Sequence, residues 1–220
     1  MILDTLSDGV QLISLNGIKY IRRSRSVNEI KILEILKNHN GFERLVSVEV
    51  NESPISCNTE FVEGSTLCDF LTTGYVSMGC RSQISYSLIE SVRLLHSLNI
   101  FHGDLNFDNV MIDKRLQPII IDFGHSNDET MSSFYNPPEY FSNDNWKNSR
   151  SNDLWCLGIL LFRIWSDDEL PTGCWFCMSI NECLESYKDP STLSFRNGIP
   201  PKIRDIVIRL LDHNPSTRSM

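Results

Sequence analysis

Asp104 and Asn109 lie five positions apart in His102-Gly103-Asp104-Leu105-Asn106-Phe107-Asp108-Asn109, and Asp122 opens Asp122-Phe123-Gly124 eighteen positions after Asp104. A carboxylate and an amide oxygen are hard donors of the kind Mg²⁺ accepts, and a second carboxylate can orient a reacting hydroxyl. Between Asn109 and Asp122 run Val110-Met111-Ile112 and Ile119-Ile120-Ile121, two β-rich stretches that read as a small hairpin. A hairpin brings its ends together, so it carries Asn109 to Asp122. Asp and Asn also cap strands as plain turn residues, but three of them in this register are hard to obtain by turn chemistry alone.

The elements that must hold these residues follow from periodicity. Val10-Gln11-Leu12-Ile13 and Ile18-Lys19-Tyr20-Ile21 flank Asn16-Gly17, a two-residue hairpin signal. Ile30, Leu33 and Leu36 repeat at helical spacing, with Ser26 or Asn28 as the cap. Ile84, Leu88, Val92 and Leu95 share one face of a longer helix ending near Leu98. A third apolar helix is expected from Asn152 to Trp165, and a fourth from Pro201, with Ile203, Ile206, Val207 and Leu210 buried.

Composition narrows the function classes. The chain has 220 residues, 41% of them hydrophobic and 22% charged, which is ordinary globular usage. Twenty Lys and Arg against 28 Asp and Glu leave a net charge of −8, which repels polyphosphate and argues against direct nucleic-acid binding. The longest apolar run, Trp155 to Phe162, is too short to span a hydrocarbon core of about 30 Å, and Met1-Ile2-Leu3-Asp4 lacks the basic start of a signal peptide. A cytoplasmic protein without a membrane span is expected. Seven cysteines, odd in number and irregular in spacing, read as reduced thiols. Cys174-Trp175-Phe176-Cys177 has the spacing of half a zinc site with only Cys183 as a nearby third ligand, so packing is expected there and no zinc.

The segments around Asp104 and Asp122 resemble the catalytic loop and the metal-binding Asp-Phe-Gly of the eukaryotic-type protein kinase superfamily. Further on, Tyr135-Asn136-Pro137-Pro138-Glu139 resembles the end of that family's activation segment. Asp153-Leu154-Trp155-Cys156-Leu157-Gly158 resembles its central anchoring helix, and Asn214-Pro215-Ser216-Thr217-Arg218 its closing motif. The resemblance covers about residues 10 to 218. It implies an α+β fold of two lobes: a truncated β-rich N-lobe over residues 1–63, with hairpin, helix and hinge, and a mostly helical C-lobe over 64–220. It also implies ATP and Mg²⁺ as cofactors and a protein hydroxyl as acceptor. Asp104 would position the acceptor, and Asn109 and Asp122 would hold Mg²⁺. Lys19, in Gly17-Ile18-Lys19, would orient the phosphates with Glu29 as its ion partner, Arg22 being the reserve. Thr59-Glu60-Phe61-Val62-Glu63-Gly64 resembles the hinge, with Glu60 and Val62 meeting adenine over Met111. His102, Asp153 and the pair Glu139 and Arg218 would be structural.

Departures from the family's pattern matter as much. Ser7-Asp8-Gly9-Val10 holds one glycine where the family has three, so the first strand is expected to be absent or remodelled and nucleotide binding weakened. Gly103 replaces the arginine that reads a phosphorylated loop, so activation by loop phosphorylation is not expected. Asn106 stands where serine/threonine kinases carry lysine, and would donate an uncharged hydrogen bond to the transferring group. Ser132 tilts acceptor choice toward Ser or Thr. Two readings stand side by side: a minimal serine/threonine kinase, or a catalytically weak or inactive pseudokinase that binds another kinase or its substrate. A third, a small-molecule phosphotransferase, draws on His102-Gly103-Asp104 and is opposed by Glu139, Asp153 and Arg218. Such compression resembles kinases encoded by viruses or delivered as effectors into a host cell.

Overall fold

The structure is a computed structural model that describes residues 1–7, 9–49, 55–72, 74–130, 135–142, 147–166 and 189–220. Asn16 and Gly17 take positive φ, 52° and 80°, so a two-residue turn joins β2 (Val10–Leu15) to β3 (Ile18–Ser24) with Leu15 opposite Ile18. β1 (Ile2–Ser7) pairs with β2, so of the two expectations for the first strand, absent or remodelled, it is not absent. Its register shifts twice along six residues, and such bulges break the period-two signal by which a strand is read. Shortening falls on the connections: the linker from β3 to helix α1 (Val27–Leu36) is only Arg25 and Ser26.

The Ser26 side chain caps α1 by accepting the Glu29 N–H at 3.1 Å, and Ile32, Leu33 and Leu36 bury its apolar face. β4 (Leu45–Glu49) and β5 (Ser56–Glu60) complete an antiparallel sheet ordered β1-β2-β3-β5-β4. Residues Phe61–Glu63 then lead to β6 (Gly64–Thr66), which forms a second sheet, β6-β7-β8, with β7 (Val110–Asp113) and β8 (Pro118–Ile120). This is the hairpin expected between Asn109 and Asp122.

The remaining described elements are helical: α2 (Leu67–Thr72), α3 (Met78–Ser97), α4 (Pro138–Ser142), α5 (Arg150–Trp165), a short 3-10 turn (Pro190–Thr192) and α6 (Pro201–Leu210). α3 buries Ile84, Leu88, Val92 and Leu95. α5 is buried on nearly all sides, as an apolar helix in the middle of a domain must be. α6 starts on Pro201 and buries Ile203, Ile206, Val207 and Leu210. The chain is thus α+β, an antiparallel sheet with one helix followed by a helical part. No described helix is long and apolar enough to cross a membrane. The Cys174–Cys177 pair, Cys183 and Ser132 lie outside the described residues.

Candidate active site

The site is built on a buried carboxylate. Asp153, in the first turn of α5, accepts the His102 N–H at 2.7 Å and the Gly103 N–H at 3.0 Å, and contacts His96 Nε2 at 3.0 Å. These bonds fix the backbone just before Asp104. Gly103 has φ of +85°, and a Cβ there would lie 2.5 Å from the His125 carbonyl oxygen and 2.9 Å from Asn148 Nδ2. The space an arginine would need at 103 is therefore filled. His102 Nδ1 accepts the Asp104 N–H at 3.3 Å, which leaves Nε2 to donate to the Ile121 carbonyl at 3.0 Å. One ring thereby joins the catalytic-loop segment to the strand leading into Asp122.

Asn109 donates from Nδ2 to the Asp104 carbonyl at 2.9 Å and to Asp104 Oδ2 at 3.2 Å, while its backbone carbonyl accepts the Ile121 N–H at 2.9 Å. Asn106 does not present its amide to a phosphoryl group. Its Nδ2 donates to Asp104 Oδ2 at 3.1 Å, and its Oδ1 accepts the N–H groups of Asp108 and Asn109 at 2.9 and 3.0 Å. Asn106 is a staple for the loop, a role the loss of a charged lysine makes room for. Phe123 is fully buried against Phe42 and His102.

Asp122 takes φ of +64° and faces a guanidinium. Arg23 donates to its Oδ2 at 2.9 Å and its Oδ1 at 2.5 Å, and to Glu29 Oε1 at 2.6 Å. Lys19 is not that cation. It sits over the Phe61 ring, 5.6 Å from its centroid. It shares a strand face with Arg23 but lies four residues earlier, roughly 13 Å along the strand, out of reach of Glu29. Arg22 is on the other face and pairs with Glu49 at 3.0 Å. The sequence signal is only partial: Arg23 keeps the alternation of Lys19 and Ile21, but so does Arg25, and the end of β3 at Ser24 is what separates them. Glu60, Val62 and Met111 line one cleft of about 190 Å³ with Leu6, Val10, Ile21, Arg23 and Asp122.

Burial alone would raise the Asp122 carboxyl, but the hydrogen bonds and charge of Arg23 outweigh it and, with the Gly124 N–H, hold the carboxyl well below the usual range. The sign for stability follows. Ionised Asp122 favours the folded state above the ordinary carboxylate value near 4; below that the unfolded chain takes up the proton first, and the contribution is lost as pH falls through the depressed native value. The metal-free parent should therefore lose more melting temperature between pH 6 and pH 3 than Asp122→Asn does. The difference should be small, since the side chain is 39% exposed and solvent screens the pair.

The protein kinase domain family matches residues 10–220. The chain belongs to that family. Among its relatives, the probable serine/threonine-protein kinase mkcE of Dictyostelium discoideum is 32% identical over 149 residues, 64% of this chain and 21% of that protein. The serine/threonine-protein kinase KIN4 of Saccharomyces cerevisiae is 29% identical over 91% of this chain and 26% of that protein. CBL-interacting serine/threonine-protein kinase 1 of Arabidopsis thaliana is 29% identical over 86% of this chain and 44% of that protein. This kinase domain thus spans less than half the length of these curated relatives. The solved structure of the Cydia pomonella granulovirus kinase PK-1 has the same fold, with a TM-score of 0.79 at 21% identity over 99% of this chain and 89% of that one.

Proposed function

We propose that the chain is an ATP- and Mg²⁺-dependent serine/threonine protein kinase, with residues 1–63 on the nucleotide side and 64–220 as the helical lobe. The observations that support the reading are the Asn109 hydrogen bonds to Asp104 and the backbone bond of Ile121 to Asn109, which sets Asp122 beside Asn109 across the hairpin. Asn109 commits its amide nitrogen to Asp104, which leaves its oxygen as the free donor, and Asp122 adds a carboxylate from the other end. That oxygen set suits Mg²⁺, which would neutralise charge on the transferring phosphoryl group when bound. Asp104 orients the acceptor hydroxyl and takes its proton. Arg23, with Glu29 behind it, is the cation available to meet phosphate oxygens in place of Lys19, and Glu60, Val62 and Met111 bound the space for adenine. The names of the relatives support Ser or Thr as acceptor. Protein substrates are the expected partners, and the four described cysteines, all free thiols, fit a cytoplasmic setting.

A specific observation favours the second reading, a weak or inactive pseudokinase engaging another kinase or its substrate. Arg23 already occupies both oxygens of Asp122, and an arginine releases a carboxylate less readily than a lysine does. Incubation with γ-labelled ATP, Mg²⁺ and a generic acceptor protein separates the two. The kinase reading expects labelled phosphoserine or phosphothreonine and a rise in melting temperature with Mg-ATP. Absence of label together with absence of a thermal shift overturns it in favour of the pseudokinase.

A further inference from the structure

Behind Arg23 lies a second arginine that the reading above does not use. The Arg25 side chain is 1% exposed and forks between two carboxylates, Glu29 Oε1 and Glu43 Oε1. Glu43 is itself buried. Its Oε1 accepts the Thr59 hydroxyl at 2.8 Å, and its Oε2 accepts the Asp122 N–H at 3.3 Å. Its backbone N–H donates to the Ile120 carbonyl at 2.9 Å, so the segment carrying Glu43 is sewn to the end of β8, two residues before Asp122. One guanidinium therefore touches both the carboxylate that receives Arg23 and the carboxylate that receives the Asp122 amide.

We propose that Arg25 is a positioning residue for the metal-binding end of the cleft, holding Glu29 and Glu43 so that α1 and the backbone of Asp122 keep their places whether or not Arg23 is engaged. The proposal rests on the kinase reading for what the cleft binds, but the positioning itself is a property of the nucleotide-free chain. Two observations favour positioning over stability as the reason for the pair. Buried ion pairs are weak sources of stability, because desolvation offsets most of their attraction. Arg25 also leaves its Nε buried without a partner, an arrangement a purely stabilising contact would not favour. The charge count is equally informative. Arg23 and Arg25 face Glu29, Glu43 and Asp122, two cations against three anions, so the cluster carries one excess negative charge. That excess becomes useful when Arg23 turns from Asp122 toward a phosphate: Glu29 keeps a counter-charge in Arg25 and does not follow.

The test uses Arg25→Met/Glu43→Gln, which removes one charge of each sign while leaving at position 43 a side-chain oxygen able to accept the Asp122 N–H. The excess charge is unchanged and the fold should persist. Hydrogen exchange of the nucleotide-free protein is read over residues 121–124 and over α1. The expected result is exchange at least tenfold faster in both segments than in the parent, with other segments unchanged. Arg25→Lys is the second variant: an ammonium lacks the rigid planar fork that spans both carboxylates at fixed geometry, so acceleration is expected in at least one of the segments. Parent-like exchange in both segments, in whichever variant folds, overturns the proposal. A second readout is the Mg²⁺ concentration giving half the Mg-ATP thermal shift, expected to rise about tenfold in the double variant. If the parent shows no such shift and no labelling, the kinase reading falls, while the exchange measurement still decides the role of Arg25.

Discussion

Under the proposed kinase function, Asp104→Asn should lower phosphoryl transfer by roughly 10²- to 10⁴-fold, the range a positioned general base contributes. The KM for ATP and the Mg-ATP thermal shift should change little. The structural reason is that the substitution is nearly isosteric and the loop does not depend on the charge. Asp104 Oδ2 accepts Nδ2 of Asn106 at 3.1 Å and Nδ2 of Asn109 at 3.2 Å, and the Asp104 carbonyl accepts the Asn109 amide at 2.9 Å. An asparagine keeps one acceptor oxygen for the first two bonds, and the third belongs to the backbone. The backbone itself is held from below by Asp153 through His102 and Gly103. The loss would therefore be chemical: an amide cannot take the acceptor's proton. Steady-state turnover with labelled ATP measures it, and a variant as fast as the parent would remove Asp104 from the mechanism.

Local signals carried most of the fold. The Asn16-Gly17 turn, the Ser26 cap and the Pro201 start each depend on a few adjacent residues, and each appears in the structure where those residues stand. β1 was not legible, because its two register shifts cancel the alternation that marks a strand. The site divides in the same way. Asp104, Asn109 and Asp122 flank one hairpin, so spacing alone brings them near each other. The cation facing Asp122 comes from a strand ninety-nine positions away, and choosing among Lys19, Arg22 and Arg23 required knowing where β3 ends against α1. Lys19 has the right residue type on the right face but stands four residues too early on β3. Glu43 was invisible for a different reason. It stands in a buried position, Gly41-Phe42-Glu43-Arg44-Leu45, where nothing in the sequence says that a carboxylate will find a guanidinium eighteen residues earlier. Asn106 shows the converse: its place in the loop was clear, but the atoms it bonds are set by a turn of four residues that spacing does not describe.

Arg218→Ala should be strongly destabilising, although it lies away from the cleft. The guanidinium is fully buried and forks onto Glu139, Nη1 to Oε1 at 2.6 Å and Nη2 to Oε2 at 2.7 Å. It also donates to the Asp212 carbonyl at 2.8 Å and the Ser151 carbonyl at 3.2 Å, and lies 5.0 Å from the Trp155 ring centroid. One side chain thus ties the end of the chain to α4 and to the first turn of α5, the same turn that carries Asp153. Truncation leaves the Glu139 carboxylate, only 17% exposed, without its counter-charge and strips two carbonyls of their donor. Breaking a buried pair from one side costs about 3–5 kcal/mol. For a domain of this length each kcal/mol shifts the melting temperature by roughly 2–4 °C, so the expected fall is about 6–20 °C. Arg218→Lys should recover little of it, because an ammonium cannot reproduce the fork. Glu139→Ala/Arg218→Ala should be more stable than Arg218→Ala alone, since the stranded charge is gone. A double variant no more stable than the single one would show that the cost lies in the carbonyls and the Trp155 contact, and that the ion pair adds nothing.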